Sequence, residues 1–329
     1  MTVATNLHGL AGLPSPDGPI EVQPFVRAAG GLLARVRACR RALSCDYVVV
    51  NCSPADLFDV CLVKLVLPFT RARIVSLDTV LPVPQADTLS ARLKLGVKRL
   101  LFRQVHLFIE YFRETQGYEH HYAIPRDRFR YVPFKINRYE RVLRTATRDD
   151  GYVFCGGNTR RDFKTLIEAV KGLPVSVKIV TMEDRVIAGH GSALDEQSLP
   201  ANVEVIRHDG SDSFLDYIAG ARLVVLPIRR ENISASGIGV YLASMALGKC
   251  VVISEGPAVN GVVPSGAAII VPPEDPRALR AAIQRAAVDD DYRNGIAAAG
   301  QAYALSLGGV QQLCESVAQV IARDSEGAR

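Results

Sequence analysis

Residues 222–257 read RLVVLPIRRENISASGIGVYLASMALGKCVVISEGP, and this stretch decides the architecture. The apolar run Leu223–Leu226 predicts a buried strand that passes into a polar loop and then Ser236-Gly237. An amphipathic helix follows, then Gly248-Lys249 and a second apolar run, Val251–Ser254, read as the next strand. A helix opened by Ser-Gly after a strand leaves its first N–H groups unpaired at the positive end of the helix dipole, an arrangement suited to phosphate.

Outward from this unit the same alternation continues. Tyr152–Cys155, Val175–Thr181, Val203–Arg207 and Ala268–Val271 predict strands, and Phe163–Lys171 and Phe214–Ala219 predict helices. A last helix, Pro276–Val288, has Asp275 as its N-cap and Pro276 at the first helical position. Near-continuous apolar strands separated by helices imply a parallel sheet covered on both faces, with ligands at the carboxyl ends of the strands. The front half alternates less completely. Helices are predicted around Gly31–Leu43, Asp56–Leu67, Ser90–Phe102 and Tyr111–Tyr118, and strands at Tyr47–Asn51, Arg73–Leu77, Val105–Ile109 and Phe129–Val132. Residues 1–25 carry Pro14, Pro16, Gly18 and Pro19 and show no clear pattern. The fold class is therefore α/β, with two Rossmann-like doubly wound parallel-sheet domains. They are expected at 1–140 and 141–308, joined through the polar stretch 136–150, with a helix at 309–329 packing back on the first.

At 329 residues the chain has room for two domains, and its 48% hydrophobic content excludes a disordered protein. No run approaches 18 uninterrupted apolar residues and the first 30 residues lack a secretory pattern, so neither a spanning helix nor secretion is expected. The seven scattered cysteines form no CxxC pair, which reads as reduced thiols in the cytoplasm with no zinc site. Charge is uneven. Residues 1–148 hold 22 basic and 12 acidic side chains, a net +10, and the remainder hold 17 and 22, a net −5. A basic front half points to an anionic partner such as a membrane surface, phosphorylated lipid or polyanion, or is a ring of solvated arginines. Arg92–Arg103 is basic and amphipathic and suits an anionic bilayer, the alternative being a helix packed by Leu93, Val97, Leu100 and Leu101.

The segment Tyr241–Val252, YLASMALGKCVV, resembles the helix that reads roughly LLEAMALGKPVV in the family 4 glycosyltransferases, also called glycosyl transferases group 1. Tyr131–Asn137, YVPFKIN, is similar to the YVPFGID turn that ends their N-terminal domain, with Lys135 where glycine is usual. The resemblance is good from 151 to 305, fair back to residue 45 and weak before it. It implies the two-domain fold called GT-B, with a cleft between the domains. It also implies transfer of a sugar from a UDP- or GDP-sugar to a saccharide or lipid-linked acceptor in polysaccharide or glycolipid synthesis. Configuration would be retained without a metal, and no cofactor beyond the donor or nucleic-acid partner is implied.

A departing diphosphate must be neutralised as its bond to the sugar breaks. Gly156-Gly157-Asn158-Thr159-Arg160-Arg161, followed by Lys164, offers close backbone approach and cations at a helix start. Arg161 stands at the family's lysine position, with Arg160 or Lys164 as the second cation; the alternative is a glycine turn followed by exposed charges. Ser236, Gly237 and Ile238 would present a hydroxyl and amides to the distal phosphate, although Ser236 also serves as a plain N-cap. Two glutamates usual in the family fall at Ala235 and Ala243 here. Glu231, four residues after Pro227, is the candidate replacement near the sugar, or else an exposed loop acid beside Arg229 and Arg230. Asp78 remains from a His-Asp pair whose first position is Leu77; a turn former is its other reading. Asn51-Cys52-Ser53 is a further candidate at the end of the preceding strand. The loss at Ala235 and Ala243 also motivates a rival, a catalytically inactive GT-B homologue that binds a partner. A nicotinamide enzyme is excluded by the lack of GxGxxG with an acid about 20 residues on. His106, His120 and His121 have no company at metal-ligand spacing.

Overall fold

A computed structural model describes residues 1–26, 30–85, 87–208 and 213–327. The chain divides into two compact units, Met1–Pro133 with Gln311–Arg329, and Phe134–Val310. The division falls at 133/134, upstream of the expected 140/141, because Ile136 already hydrogen-bonds within the second unit (its N donates to Gly308 O, 2.9 Å).

In the first unit the chain runs β1 (Thr2–Thr5), β2 (Pro14–Ser15), β3 (Gly18–Pro19), β4 (Glu21–Pro24), α1 (Leu32–Ala42), β5 (Tyr47–Asn51) and α2 (Pro54–Val66). It continues through β6 (Arg73–Leu77), α3 (Leu89–Phe102), β7 (Val105–Glu110), α4 (Gln116–Tyr122) and β8 (Phe129–Tyr131). Its parallel sheet has the order β4-β1-β5-β6-β7-β8. The unpatterned N-terminus is thus two strands joined through a single 3-10 turn (His8–Leu10) and a small β2–β3 hairpin rather than by an α-helix. The helix expected at Tyr111–Tyr118 begins only at Gln116, after Tyr111 and Phe112 have been spent on the core.

The second unit runs α5 (Tyr139–Arg144), β9 (Tyr152–Gly156), α6 (Phe163–Val170), β10 (Ser176–Thr181), α7 (Asp184–Gly189), β11 (Val203–Arg207) and α8 (Ser213–Ala219). Then come β12 (Leu223–Leu226), α9 (Ile238–Ala246), β13 (Cys250–Ser254), β14 (Ile269–Val271), α10 (Pro276–Val288) and α11 (Asp290–Leu307). Its parallel sheet has the order β11-β10-β9-β12-β13-β14. Val153, Cys155, Val177, Ile179, Leu223, Val225 and Val252 are fully buried between helices, which is why these strands read as unbroken apolar runs. Asp275 caps α10 as expected, accepting from Arg277 N and Ala278 N.

The last helix, α12 (Val310–Glu326), belongs from Gln311 onward to the first unit. Its Asp324 accepts hydrogen bonds from Tyr47 Oη (2.8 Å) and Arg73 Nη1 (2.7 Å) and lies 2.9 Å from His106 Nε2. These three residues stand at the starts of β5, β6 and β7, so one carboxylate ties the helix across three strands. The seven cysteines form no disulfide. Among the described residues no helix is long and apolar enough to cross a membrane.

Candidate functional site

In the second sheet the strand order reverses between β9 and β12, and a doubly wound sheet binds its ligand beyond the carboxyl ends of the strands at that switch. Two loops meet there. Asp162 N donates to Pro227 O (3.0 Å), Arg229 N donates to Arg160 O (3.0 Å), and Arg161 bridges antiparallel to Ile228. Asp162 caps α6, accepting from Thr165 N at 3.1 Å, so the loop after β9 is held at both ends.

Arg161 is 2% exposed. Its Nε donates to Gly156 O (2.8 Å), its Nη1 to Thr159 O (3.0 Å), and its backbone N to Ser192 Oγ (2.8 Å). Among the described residues no carboxylate pairs with it. Burial pulls its pKa down to about 10, with the Cys155 thiol opposing, so it stays charged at neutral pH. The expectation of exposed charges after a glycine turn therefore fails for Arg161, whose side chain folds inward under the loop. Gly157, at φ +100°, makes room: a β-carbon there would meet Arg161 Nη2 at 2.6 Å.

Gly237 caps α9 at φ +91° and leads the helix start toward the same guanidinium, since a β-carbon on it would lie 3.4 Å from Arg161 Nη1. A buried cation facing the positive end of a helix dipole is repulsive until an anion sits between them. Ser236 is buried and its Oγ has no hydrogen-bond partner. A cavity of about 450 Å³ opens at this point. Gly157, Asn158, Thr159 and Arg161 line it from the loop after β9, and Gly237, Gly239, Val240 and Ala243 from α9. Phe214, Leu215 and Ile218 of α8, His190 and His208, and Asn137 with Arg138 complete it. Among the described residues the lining holds two arginines and no carboxylate.

Of the residues singled out from sequence, Gly157, Arg161 and Gly237 line the cavity together. Gly156 contributes its carbonyl to Arg161, and Ser236 and Ile238 are buried at the α9 start without lining the cavity. Three others lie elsewhere. Lys164 is exposed on α6, off the face on which Phe163, Leu166, Ala169 and Val170 are buried. Arg160, at φ +54°, lays its side chain against Gly191. Glu231 is exposed in the loop after β12, away from the cavity lining.

Asp78 belongs to the first unit, where it follows β6 at φ +57° and accepts from Cys52 Sγ at 3.0 Å. Burial raises its pKa and the Cys52 contact lowers it again in part. The neighbouring Glu110 is fully buried; Thr79 N donates to its Oε1 at 3.2 Å. Burial, and then the charge of Asp78, holds Glu110 well above the usual carboxylate range. Asn137, Arg138, His190, His208 and Phe214 were missed as site residues. His208 directly follows β11, so its place at a strand's carboxyl end was the available signal. Among the described residues no group of three or more His, Cys, Asp or Glu is placed to hold a metal ion.

Two parallel-sheet Rossmann-like units of this kind define a GT-B fold. Residues 150–289, which contain the whole cavity except Asn137 and Arg138, match the family described as glycosyl transferases group 1. No curated protein matches the chain significantly. The fold is shared with solved structures at low identity. Anabaena Alr3699/HepE in complex with UDP-glucose is 14% identical, with 98% of this chain and 99% of that chain covered and a TM-score of 0.66. A UDP-forming alpha,alpha-trehalose-phosphate synthase from Burkholderia vietnamiensis is 13% identical (89% and 75% covered, TM-score 0.62). A glycosyltransferase from Rickettsia africae is 12% identical (92% and 84% covered, TM-score 0.63).

Proposed function

We propose that this chain transfers a sugar from a UDP- or GDP-sugar to a hydroxyl of a saccharide or lipid-linked saccharide acceptor. The observation that carries the reading is Arg161: a fully buried guanidinium with no carboxylate partner among the described residues, set against the start of α9. Burying an uncompensated charge is costly, and a diphosphate supplies the missing counter-charge where both the cation and the helix amides point. The family match over 150–289 supports glycosyl transfer, and the UDP and UDP-glucose complexes of the HepE neighbours favour UDP as the donor nucleotide.

In the proposed reaction the acceptor oxygen forms its bond to the anomeric carbon as the bond from that carbon to the diphosphate breaks. The acceptor proton passes to the departing phosphate, so the products are a glycoside and a nucleoside diphosphate, with configuration retained. Charge grows on the leaving oxygen, and Arg161 with the α9 amides stabilises it without a metal. Arg138 is the second lining cation, in place of Arg160 and Lys164. We place the reaction in the cytoplasm, in polysaccharide or glycolipid synthesis. The test is nucleotide release from a panel of UDP-, GDP-, ADP- and dTDP-sugars; turnover of none, together with no nucleotide binding, removes the reading.

Ala243 in the cavity lining favours a second reading, a non-catalytic nucleotide-binding homologue, because the family's ribose glutamate is absent there. UDP affinity that depends on Arg161, with no turnover on any acceptor, selects it.

A further inference from the structure

We infer that α3, with α2 beside it, forms a face that docks on an anionic lipid bilayer. Of the 14 residues of α3 only Leu101 is buried. Leu89 and Leu93 are 84% and 69% exposed, and Val97 and Leu100 are exposed as well. At about 100° per residue these four fall within a wedge of about 80°. The face that packs on the unit carries the half-buried Ala91, Leu95 and Phe102 and lies opposite. The helix is therefore apolar on both faces, and the alternative of a helix packed by Leu93, Val97, Leu100 and Leu101 holds for Leu101 alone: the other three are exposed.

The flanks between the two faces are cationic. Arg92 and Arg103 border the exposed row on one side, Lys94 and Lys98 on the other, and Leu89–Phe102 holds no Asp or Glu. The neighbouring α2 adds a second exposed apolar row, Phe58, Leu62 and Val66, without cationic flanks of its own, and Phe69 just beyond it is 96% exposed. Soluble monomers rarely leave such apolar rows open unless something covers them. A second copy of the chain is a poor occupant, because a two-fold contact sets Arg92, Lys94, Lys98 and Arg103 against like charges. An anionic bilayer suits both features: the apolar row enters the acyl boundary and the cations reach the headgroups. This inference stands apart from the transferase reading.

The test is co-sedimentation of the full chain, without donor, with vesicles of phosphatidylcholine containing about a third phosphatidylglycerol. Binding is expected to the mixed vesicles and not to pure phosphatidylcholine, and to weaken as salt is raised. Leu93→Asp with Val97→Asp, and separately Lys94→Glu with Lys98→Glu, are each expected to lower partitioning at least about ten-fold, with unchanged melting because the sites are exposed. UDP titration of the Leu93→Asp/Val97→Asp variant stays at the wild-type value, which separates a failure here from a failure of the donor site. No binding to mixed vesicles, equal binding to neutral ones, equal binding by either double variant, or a dimer that Leu93→Asp splits overturns the inference.

Discussion

The guanidinium of Arg161 lies in van der Waals reach of Gly237: a β-carbon on that glycine would stand 3.4 Å from Nη1 and 3.5 Å from Nη2. One residue comes from the loop after β9 and the other from the loop after β12, the two strands between which the sheet reverses direction. The contact is thus a consequence of strand order, and it puts two positive features at one point.

Replacing Arg161 by Met separates binding from stability. The substitution removes a buried charge with no counter-ion but leaves the carbonyls of Gly156 and Thr159 without their donor, so the two effects nearly cancel. Stability is expected to change by no more than about 1–2 kcal/mol in urea unfolding. UDP affinity, or turnover with the accepted donor, is expected to fall by about 100-fold or more. Unchanged affinity in calorimetry would show that the nucleotide is not held here.

Ala243→Glu places a carboxylate in the cavity lining, at the position that the resemblance assigns to the ribose. A hydrogen bond from a sugar hydroxyl to a charged acceptor contributes roughly 1.5–3 kcal/mol, so UDP is expected to bind about ten-fold tighter or better. Weaker binding means that another group already occupies the place of the ribose.

Glu110 is expected to make the first unit less stable as pH rises. Its folded pKa is raised, so its neutral form is stabilising below the ordinary carboxylate value and that contribution is lost as pH climbs toward the folded pKa. Glu110→Gln keeps an acceptor for Thr79 N and has no proton to lose. At pH 7 it should raise stability by about 1 kcal/mol or more. Urea midpoints at acid and neutral pH check this, and the gain should vanish below about pH 4.

Asp324 has the opposite sign. Burial pushes its carboxyl up, but hydrogen bonds from His106, Tyr47 and Arg73 outweigh this and hold it below its ordinary value. Its contribution is therefore complete above the unfolded carboxylate pKa and is lost as pH falls through the lower folded one. Asp324→Asn is expected to lose about 1–3 kcal/mol at pH 7, and the gap from the natural protein should close as pH falls below the ordinary carboxylate range.

Much of the fold was legible because strands buried on both faces leave unbroken apolar runs. Tyr47–Asn51, Arg73–Leu77, Val203–Arg207 and Leu223–Leu226 emerged with their boundaries correct. Residues 1–25 were not legible: β1 and β4 are four residues each, and a proline hairpin stands where a crossover helix would mark them. Short helices such as α5 and α7, with six residues each, give too little periodicity to register. At the site, Arg161 and Gly237 were readable because glycine turns and helix starts have local signatures. Asn137, Arg138 and His208 were not, since their approach depends on tertiary packing. Spacing alone likewise did not tell Arg161, turned inward, from Lys164 three positions on, turned outward.

Gln311–Arg329 completes a unit whose other residues end at Pro133. Everything between must be made before Asp324 can reach Tyr47, Arg73 and His106. During synthesis the downstream unit is whole while its predecessor still lacks a helix, and closing that long loop carries an entropic cost. Refolding should then show two kinetic phases, and trimming the chain before Gln311 should abolish only the slower one.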